Sequence, residues 1–151
     1  MSRIKPFSVA PDAYKALLAL DDHVKHSELS AAIVELVQIR SSQLNNCAFC
    51  VDTHWKRAVA VGESEHRLNG LSKWRDTKLF TPRECAALAW CEAMTLIAAA
   101  PIPDIVYANC LDHFTERELV YLSMAISTIN VWNRLGIAFE FKHDRQTRGQ
   151  S

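Results

Sequence analysis

Two helix-start signals constrain the fold of this 151-residue chain more than any other feature. In Thr81–Glu84 (TPRE) a capping Thr precedes a Pro at the first helical position and a Glu at the third. Thr115–Glu118 (TERE) repeats this capping box without the Pro. The first signal predicts a helix to about Ala98, and the second predicts a long helix to about Phe139. The sequence therefore favours an all-α fold.

Composition and periodicity extend this prediction to the whole chain. Only 4 Gly and 5 Pro occur, which is few for a β-sandwich with its many tight turns. The length suits one domain, residues 1–151. We expect a bundle of six or seven helices, with its core at about residues 27–139 and a flexible tail at about 142–151. The other predicted helices are Asp12–Leu20, a helix capped by Ser27 that runs to about Leu44, Cys47–Val61 ended by Gly62, one near Glu63–Leu68, and one ending near Leu111.

Charge and cysteine usage exclude several classes of protein. Lys plus Arg is 17 and Asp plus Glu is 17, whereas nucleic-acid binders usually carry a basic excess. The N-terminal residues show no secretory or transit signal, and no apolar run is long enough to span a bilayer. The 5 Cys are an odd number and fit a secreted disulfide framework poorly. We therefore expect a cytoplasmic protein that binds neither nucleic acid nor membrane.

Cys47-Ala48-Phe49-Cys50 is the one compact reactive motif, and His54 follows it by four residues. With Asn46 as the N-cap, both cysteines would lie in the first helical turn, where free N–H groups and the helix dipole favour an anion. His54 would share a helix face with Cys50 and could accept its proton. Cysteines three residues apart can also form a reversible disulfide. The motif favours thiol redox chemistry.

Two other interpretations of this motif stay open. Cys47, Cys50 and His54 could be three zinc ligands, with the fourth from Cys85, Cys91, Cys110 or another His, although no second ligand pair is present. Alternatively, the two cysteines and His54 could simply belong to a buried helix face, since free Cys is readily buried. The three remaining cysteines lie singly in apolar surroundings, and we interpret them as packing residues.

Glu35 is the next candidate, because it lies in an apolar helix. Most Glu side chains are exposed, so the simplest interpretation places it on the outer face, paired with Arg40. The functional interpretation is a carboxylate that faces His54 from the neighbouring helix and relays a proton through water. Arg40 itself lies in the apolar stripe and is expected to have a partner. The polar and aromatic segment Asn130–Arg134 predicts a role in packing or subunit contact.

The segment Glu35–His54 (ELVQIRSSQLNNCAFCVDTH) resembles the core of the AhpD-like alkylhydroperoxidases of the carboxymuconolactone decarboxylase superfamily. The shared pattern is a Glu, the first Cys of C-x-x-C twelve positions later, and a His four positions after the second Cys. Asn130–Leu135 resembles the peroxidase-related branch of that superfamily. The resemblance covers the chain from about Ser27 to Phe139.

The resemblance implies an all-helical homo-oligomer that reduces alkyl hydroperoxides without metal, haem or other cofactor. Cys50 would attack the peroxide, Cys47 would resolve the product to a disulfide, and an external dithiol or thiol reductase would restore both thiols. His54 and Glu35 would form the proton relay. The family carries a His where this chain has Phe49, which shortens the relay.

Two rival functions follow from the same residues. One is lactone decarboxylation, as in the other branch of the superfamily, although that chemistry does not call for a cysteine pair. The other is a non-catalytic helical oligomer that senses redox state or carries a metal.

Overall fold

The computed structural model describes residues 3–143, and within them all regular structure is helical. Its eight α-helices and one 3-10 helix confirm the all-α prediction. They are α1 (Pro6–Val9), α2 (Pro11–Lys25), α3 (Ala31–Leu44), α4 (Ala48–Ala60), α5 (Glu65–Gly70), the 3-10 helix (Leu71–Asp76), α6 (Pro82–Thr95), α7 (Asp104–Leu111) and α8 (Glu116–Ala138). The count over residues 3–143 exceeds the predicted six or seven because the four-residue α1 is too short to show periodicity.

Both capping boxes form as the sequence predicts. The Thr81 hydroxyl accepts the backbone N–H of Glu84, and the Glu84 carboxylate accepts the N–H of Thr81 at 2.8 Å. Thr115 and Glu118 make the same pair of bonds at the start of α8. These bonds satisfy N–H groups that have no partner within the helix, so each helix begins at a fixed residue.

The predicted start of α3 is wrong by three residues. Ser30 rather than Ser27 caps this helix, and its hydroxyl accepts the N–H of Ile33. The Ser27 hydroxyl instead donates to the Val24 carbonyl oxygen at 2.7 Å and so closes the turn after α2. That turn comes late because α2 continues to Lys25, beyond the predicted end at Leu20. The end of α6 also differs, at Thr95 instead of Ala98.

Helix α3 occupies the centre of the molecule and packs against α4, α6 and α8. Every residue from Ile33 to Ile39 is buried, including Glu35 and Gln38. A buried polar group costs free energy unless it has a hydrogen-bond partner. The position of α3 therefore requires internal partners for its polar side chains, and it places Glu35 inside the molecule.

A network of amides joins the turn between α3 and α4 to α8. The Asn45 side-chain NH₂ donates to the side-chain oxygens of Asn130 and Asn133, at 2.9 Å each. Asn133 in turn donates to the Ser42 hydroxyl at 3.0 Å. The next residue, Asn46, takes the left-handed backbone conformation with φ of 54°. The asparagines of the Asn130–Arg134 segment thus act in packing within the chain, and they hold Asn45, two residues before the cysteine motif.

The C-terminal end of the described chain turns back over the bundle. After α8, the Phe141 N–H donates to the Gly136 carbonyl oxygen at 2.9 Å, and His143 stacks on Phe49 with ring centroids 4.4 Å apart. Of the tail predicted at about 142–151, residues 144–151 lie outside the described residues. None of the helices within residues 3–143 has the length and apolar character needed to cross a membrane.

Candidate active site

The Cys47–Cys50 pair lies at the start of α4 and is joined as a disulfide, with the two Cα atoms 5.3 Å apart. Cys47 is the N-cap residue of α4, so the predicted cap at Asn46 is wrong by one position. Asn46 cannot serve because its left-handed backbone belongs to the preceding turn. Cys50 occupies the third position of the helix and is in the first turn, as predicted.

Helix α8 packs directly against the two sulfurs at Gly136. A Cβ atom added to Gly136 would lie 3.4 Å from Cys47 Sγ and 3.6 Å from Cys50 Sγ. Both cysteines are buried, and they pack against Ile129 on the same helix. A methyl group at Gly136 would thus be in ordinary van der Waals contact with both sulfurs, so α8 covers the cysteine pair at this residue.

His54 follows Cys50 by one helical turn and contacts Glu35 on α3 directly. His54 Nδ1 lies 2.7 Å from Glu35 Oε2, and these residues are 6% and 7% exposed. The interpretation of Glu35 as an exposed charge is therefore wrong, and no water is needed between the two side chains. Arg40 has another partner, with its Nε 2.9 Å from Glu92 Oε1. The structure thus brings together all four residues that the sequence singles out: Glu35, Cys47, Cys50 and His54.

Cys50 and His54 both line one cavity of about 270 Å³. Since Glu35 occupies His54 Nδ1, the available ring nitrogen is Nε2, which has no hydrogen-bond partner among residues 3–143. Most of the cavity wall is aromatic or aliphatic. The other lining residues are Phe7, Tyr14, Leu18, Asp21, Lys25, Phe49, Thr53, Arg57, Ile129, Trp132 and Phe141.

Phe49, which interrupts the family's relay, belongs to the aromatic wall of this cavity. Its ring meets Phe141 edge-on with centroids 5.9 Å apart, and Phe141 lies 5.4 Å from Phe7. Such aromatic contacts exclude water and stabilise the wall beyond the area they bury. Phe49 therefore carries no proton and instead contributes apolar surface beside Cys50.

Asp21 on α2 also lines this cavity, and sequence reasoning missed it. Its carboxylate accepts a 2.8 Å hydrogen bond from Trp132 Nε1. Burial raises the pKa of Asp21 above its usual value, although the Trp132 hydrogen bond and the charges of Lys25 and Arg57 oppose the shift. In the sequence Asp21 lies just beyond the predicted end of the helix at Leu20, where an acidic residue is usually exposed, so no signal marked it.

A second, open cavity of about 660 Å³ lies on the side of Cys47. Trp55 and Asp52 belong to its wall, and neither of them lines the cavity shared by Cys50 and His54. The two cysteines consequently line different cavities. Cys50 lines the smaller, aromatic and less open cavity, and Cys47 lines the larger, more open one.

The remaining cysteines lie apart from this site. Cys91 and Cys110 are buried and Cys85 is half-buried, and all three are free thiols. Burial raises the pKa of Cys91 to about 12 and that of Cys110 to about 11. Within the described part of the chain, no three His, Cys, Asp or Glu side chains are grouped so that they could hold a metal ion.

Comparison with known sequences identifies relatives over most of the chain. The sequence profile of the carboxymuconolactone decarboxylase family matches residues 11–93. The uncharacterized protein YdfG of Bacillus subtilis (strain 168) is 37% identical over 136 residues, which cover 90% of this chain and 92% of YdfG. The uncharacterized protein YnjA of Escherichia coli (strain K12) is 31% identical over 117 residues, which cover 77% of this chain and 63% of YnjA. The chain thus spans less than two thirds of YnjA.

Solved structures share the fold. A protein of unknown function from Agrobacterium tumefaciens, provisionally assigned to antioxidant defence as AhpD, superposes with a TM-score of 0.91 at 37% identity, covering 97% of this chain and 100% of that one. The debrominase Bmp8 gives a TM-score of 0.82 at 15% identity, covering 92% of this chain and 75% of Bmp8. An uncharacterized peroxidase-related protein from Silicibacter sp. TM1040 gives a TM-score of 0.77 at 20% identity, covering 90% of this chain and 72% of that protein. The last two similarities concern the fold alone. The profile match and the similarity to YdfG place this chain in the carboxymuconolactone decarboxylase family.

Proposed function

We propose that the chain is a thiol-dependent peroxidase that reduces organic hydroperoxides through the Cys47–Cys50 pair. One observation carries the proposal: Cys50 and His54 line the same cavity, and Glu35 holds His54 by its Nδ1 atom. A buried carboxylate that fixes an imidazole leaves the other ring nitrogen to exchange a proton with a neighbouring thiol. The AhpD assignment of the Agrobacterium protein is consistent with this proposal.

The first step oxidises Cys50. Cys50 passes its proton to His54 Nε2, and its thiolate attacks the terminal oxygen of the hydroperoxide. An S–O bond forms while the O–O bond breaks, so the sulfur loses two electrons and becomes a sulfenic acid. The alkoxide that leaves takes the proton from His54 and departs as an alcohol. The Glu35 carboxylate stabilises the imidazolium that exists between these two proton transfers.

The second step uses Cys47 as the resolving residue. Its deprotonated sulfur attacks the sulfenic sulfur of Cys50, the S–S bond forms, and the hydroxide that leaves is protonated to water. An external dithiol then reduces the disulfide and is itself oxidised, which restores both thiols. The cavity beside Cys47 suits this exchange, because it is the larger of the two and the more open to solvent. The attacking role falls to Cys50 because it shares its cavity with His54.

Phe49 gives this chain a shorter relay than the family pattern. With no proton carrier between the cysteines, His54 alone both accepts the thiol proton and returns it to the leaving oxygen. The exchange is possible because a single imidazole can do both in sequence. The aromatic wall that includes Phe49 favours an organic hydroperoxide over hydrogen peroxide, because it offers apolar contact to an alkyl or aryl group.

The test is a single-turnover reaction of the reduced protein with cumene hydroperoxide. We expect Cys50→Ser to consume no peroxide, and Cys47→Ser to consume a single equivalent and to hold a sulfenic acid that dimedone traps. Cys85→Ser is the matched control, since this thiol lies outside both cavities, and it should behave like the unmodified protein.

The same variants distinguish the rival functions. Retained peroxide consumption in Cys50→Ser would contradict the mechanism, and lactone decarboxylation that survives in the Cys47→Ser, Cys50→Ser double variant would support the decarboxylase function instead. Stoichiometric zinc in the purified protein would support the metal-binding interpretation. A change of oligomeric state on oxidation without turnover would indicate a redox sensor.

We also propose that the chain forms a single domain that assembles as a homo-oligomer in the cytoplasm. Large apolar side chains are exposed in one subunit, among them Ile105 on α7 at 75%, Ile97 in the turn after α6 at 60% and Val120 on α8 at 59%. Contiguous exposed apolar surface is typical of interfaces. The three cysteines that stay free suit a reducing compartment. Light scattering on the purified protein measures the subunit number, and a monomeric mass would contradict the assembly.

A further inference from the structure

Asp21 is the one acidic group in the wall of the cavity that contains Cys50 and His54, among the residues that the structure describes. The reaction steps above do not use it. It comes from α2, whereas Cys50 and His54 come from α4, and the indole N–H of Trp132 on α8 fixes its carboxylate at 2.8 Å. A half-buried carboxylate held in place beside the reacting cysteine calls for an explanation beyond packing.

The Asp21 carboxylate is able to accept further hydrogen bonds. Lys25 on its own helix, and His54 and Arg57 on α4, face it, and Tyr14 lines the same cavity. No cation lies within 4.0 Å of Asp21 among residues 3–143, so the Trp132 bond is its one direct polar contact in that part of the chain. A carboxylate has about four acceptor positions, so one bond leaves free capacity toward the cavity.

A hydroperoxide has a need that this carboxylate meets. Its single O–H group is a hydrogen-bond donor, and the oxygen that carries the hydrogen is the one that a thiolate attacks. The aromatic and aliphatic rings and chains of the wall offer that donor no partner, Lys25 and Arg57 are donors only, and Tyr14 offers a neutral hydroxyl oxygen. Asp21 carries the one carboxylate among the described residues of the wall, Thr53 offers only a neutral hydroxyl oxygen, and His54 Nε2 is needed for the thiol proton. An unpaired O–H in an apolar cavity would cost binding free energy.

We propose that the Asp21 carboxylate accepts a hydrogen bond from the O–H of the bound hydroperoxide and thereby directs its terminal oxygen toward Cys50 Sγ. This inference rests on the proposed function and adds a residue that contacts the substrate. Asp21 is not consumed: the hydrogen stays with the terminal oxygen, which becomes the sulfenic acid oxygen, while the alkoxide takes its proton from His54. The role is orientation of the reacting atom, which accelerates the chemical step.

Asp21→Asn tests this role with little change of shape. The amide oxygen can still accept the Trp132 N–H, so the NH₂ group, a donor, then faces the cavity where an acceptor is needed. Loss of a hydrogen bond to a charged group predicts a fall of roughly 10- to 100-fold in the rate constant for cumene hydroperoxide. Alkylation of Cys50 by iodoacetamide needs no such acceptor and should stay within about twofold.

Asp22→Asn is the matched control. It is the same substitution one residue further along α2, at an exposed side chain that pairs with His26 and does not line the cavity. Both rate constants should equal those of the unmodified protein. Trp132→Phe is the second variant, because it keeps an aromatic ring and the Asp21 carboxylate but removes the N–H that fixes it. We expect a smaller fall in the peroxide rate and unchanged alkylation.

The pH dependence separates orientation from a structural role. Dividing the peroxide rate constant by the alkylation rate constant cancels the thiolate fraction, which both reactions share. In the unmodified protein this ratio should fall as the pH drops through the pKa of Asp21, because only the ionised carboxylate accepts the bond. Burial raises that pKa, so the fall comes at a higher pH than an exposed aspartate would give. In Asp21→Asn the ratio should be low and independent of this ionisation.

The outcomes distinguish the inference from the proposed function. If the unmodified protein did not react with cumene hydroperoxide, the proposed function and the inference would both be overturned. A reactive unmodified protein with an equally reactive Asp21→Asn variant would overturn the inference alone. A lower melting temperature in Asp21→Asn and Trp132→Phe with unchanged peroxide rates would assign Asp21 to packing. A fall with pH that persists in Asp21→Asn would come from a group other than Asp21 and would also overturn the inference.

Discussion

Substitution of Glu35 by Gln tests the proposal that the Glu35–His54 pair activates Cys50. Gln is close to Glu in size and its amide oxygen can still accept the His54 Nδ1–H, so the imidazole keeps its orientation. The charge is lost. The imidazolium that exists while His54 holds the thiol proton then has no counter-charge at Oε2, an atom 2.7 Å from Nδ1 in the structure.

The size of the effect follows from the separation and burial of the two side chains. Charge centres roughly 4 Å apart attract by about 4 kcal/mol at an effective dielectric constant of about 20. The side chains are only 8% and 9% exposed, so solvent screens little of this attraction. The retained hydrogen bond offsets part of the loss, which leaves about 3–4 kcal/mol. We therefore expect oxidation of Cys50 to slow by roughly 100- to 1,000-fold.

The assay is the single-turnover oxidation of reduced protein by cumene hydroperoxide, followed by the loss of free thiol. Glu28→Gln is the matched control, because it makes the same change in the exposed pair of Glu28 with Arg117. An exposed pair contributes little, so this control should react at the unmodified rate. Circular dichroism before each reaction establishes that the variants are folded.

A Glu35→Gln rate within about twofold of the unmodified protein would refute the reasoning, since the rate would then not depend on the counter-charge. A slow rate accompanied by loss of helical signal would reflect unfolding. In that case, addition of imidazole to a folded His54→Gly variant gives a second test. Rescue of the peroxide reaction by imidazole would support the role of His54 as the base. If imidazole did not rescue a variant whose Cys50 still reacted with iodoacetamide, that role would be contradicted.

Three further predictions concern stability and reactivity. Asn45→Ala should lower the free energy of unfolding by about 1–3 kcal/mol in urea titrations, because it leaves the buried side-chain oxygens of Asn130 and Asn133 without their donor. Burial alone would raise the pKa of Glu92, but hydrogen bonds from one tryptophan and two arginines outweigh it and lower the pKa. Ionised Glu92 therefore stabilises the fold fully above pH 4.5, the ordinary pKa of a Glu, and this contribution is lost as the pH falls through the lowered pKa. Glu92→Gln should consequently lower the melting temperature at neutral pH and make the melting temperature depend less on pH in the acid range. Cys91, whose pKa burial raises to about 12, should resist iodoacetamide in the native state and react once urea unfolds the chain.

Local signals in the sequence were enough to predict the all-α fold, the starts of α6 and α8, and the placement of Cys50 and His54 on one helix. The capping boxes at Thr81 and Thr115 depend on residues three positions apart, and the sequence displays such pairs directly. The spacing of Cys50 and His54 likewise fixes their shared face within one helix. Where two local hydrogen bonds compete, the prediction failed, as at Ser27, whose hydroxyl closes the end of α2 instead of capping α3.

Contacts between distant residues could not be predicted from one sequence. Arg40 was expected to need a partner, but Glu92 lies 52 positions away and nothing in the sequence marks it. Asp21 and Trp132 are 111 positions apart, and only the packing of α2 on α8 brings them together. The burial of Glu35 follows from the central position of α3, which depends on all its neighbours at once.

The most direct test of the account is a count of free thiols in the fully reduced protein before and after a single equivalent of cumene hydroperoxide. The account predicts that the 5 cysteines give 5 thiols before oxidation. It predicts loss of two thiols after oxidation, with mass spectrometry locating the new disulfide between Cys47 and Cys50. An unchanged thiol count, or loss of thiols at Cys85, Cys91 or Cys110 instead, would contradict the proposal that the Cys47–Cys50 pair is the redox centre.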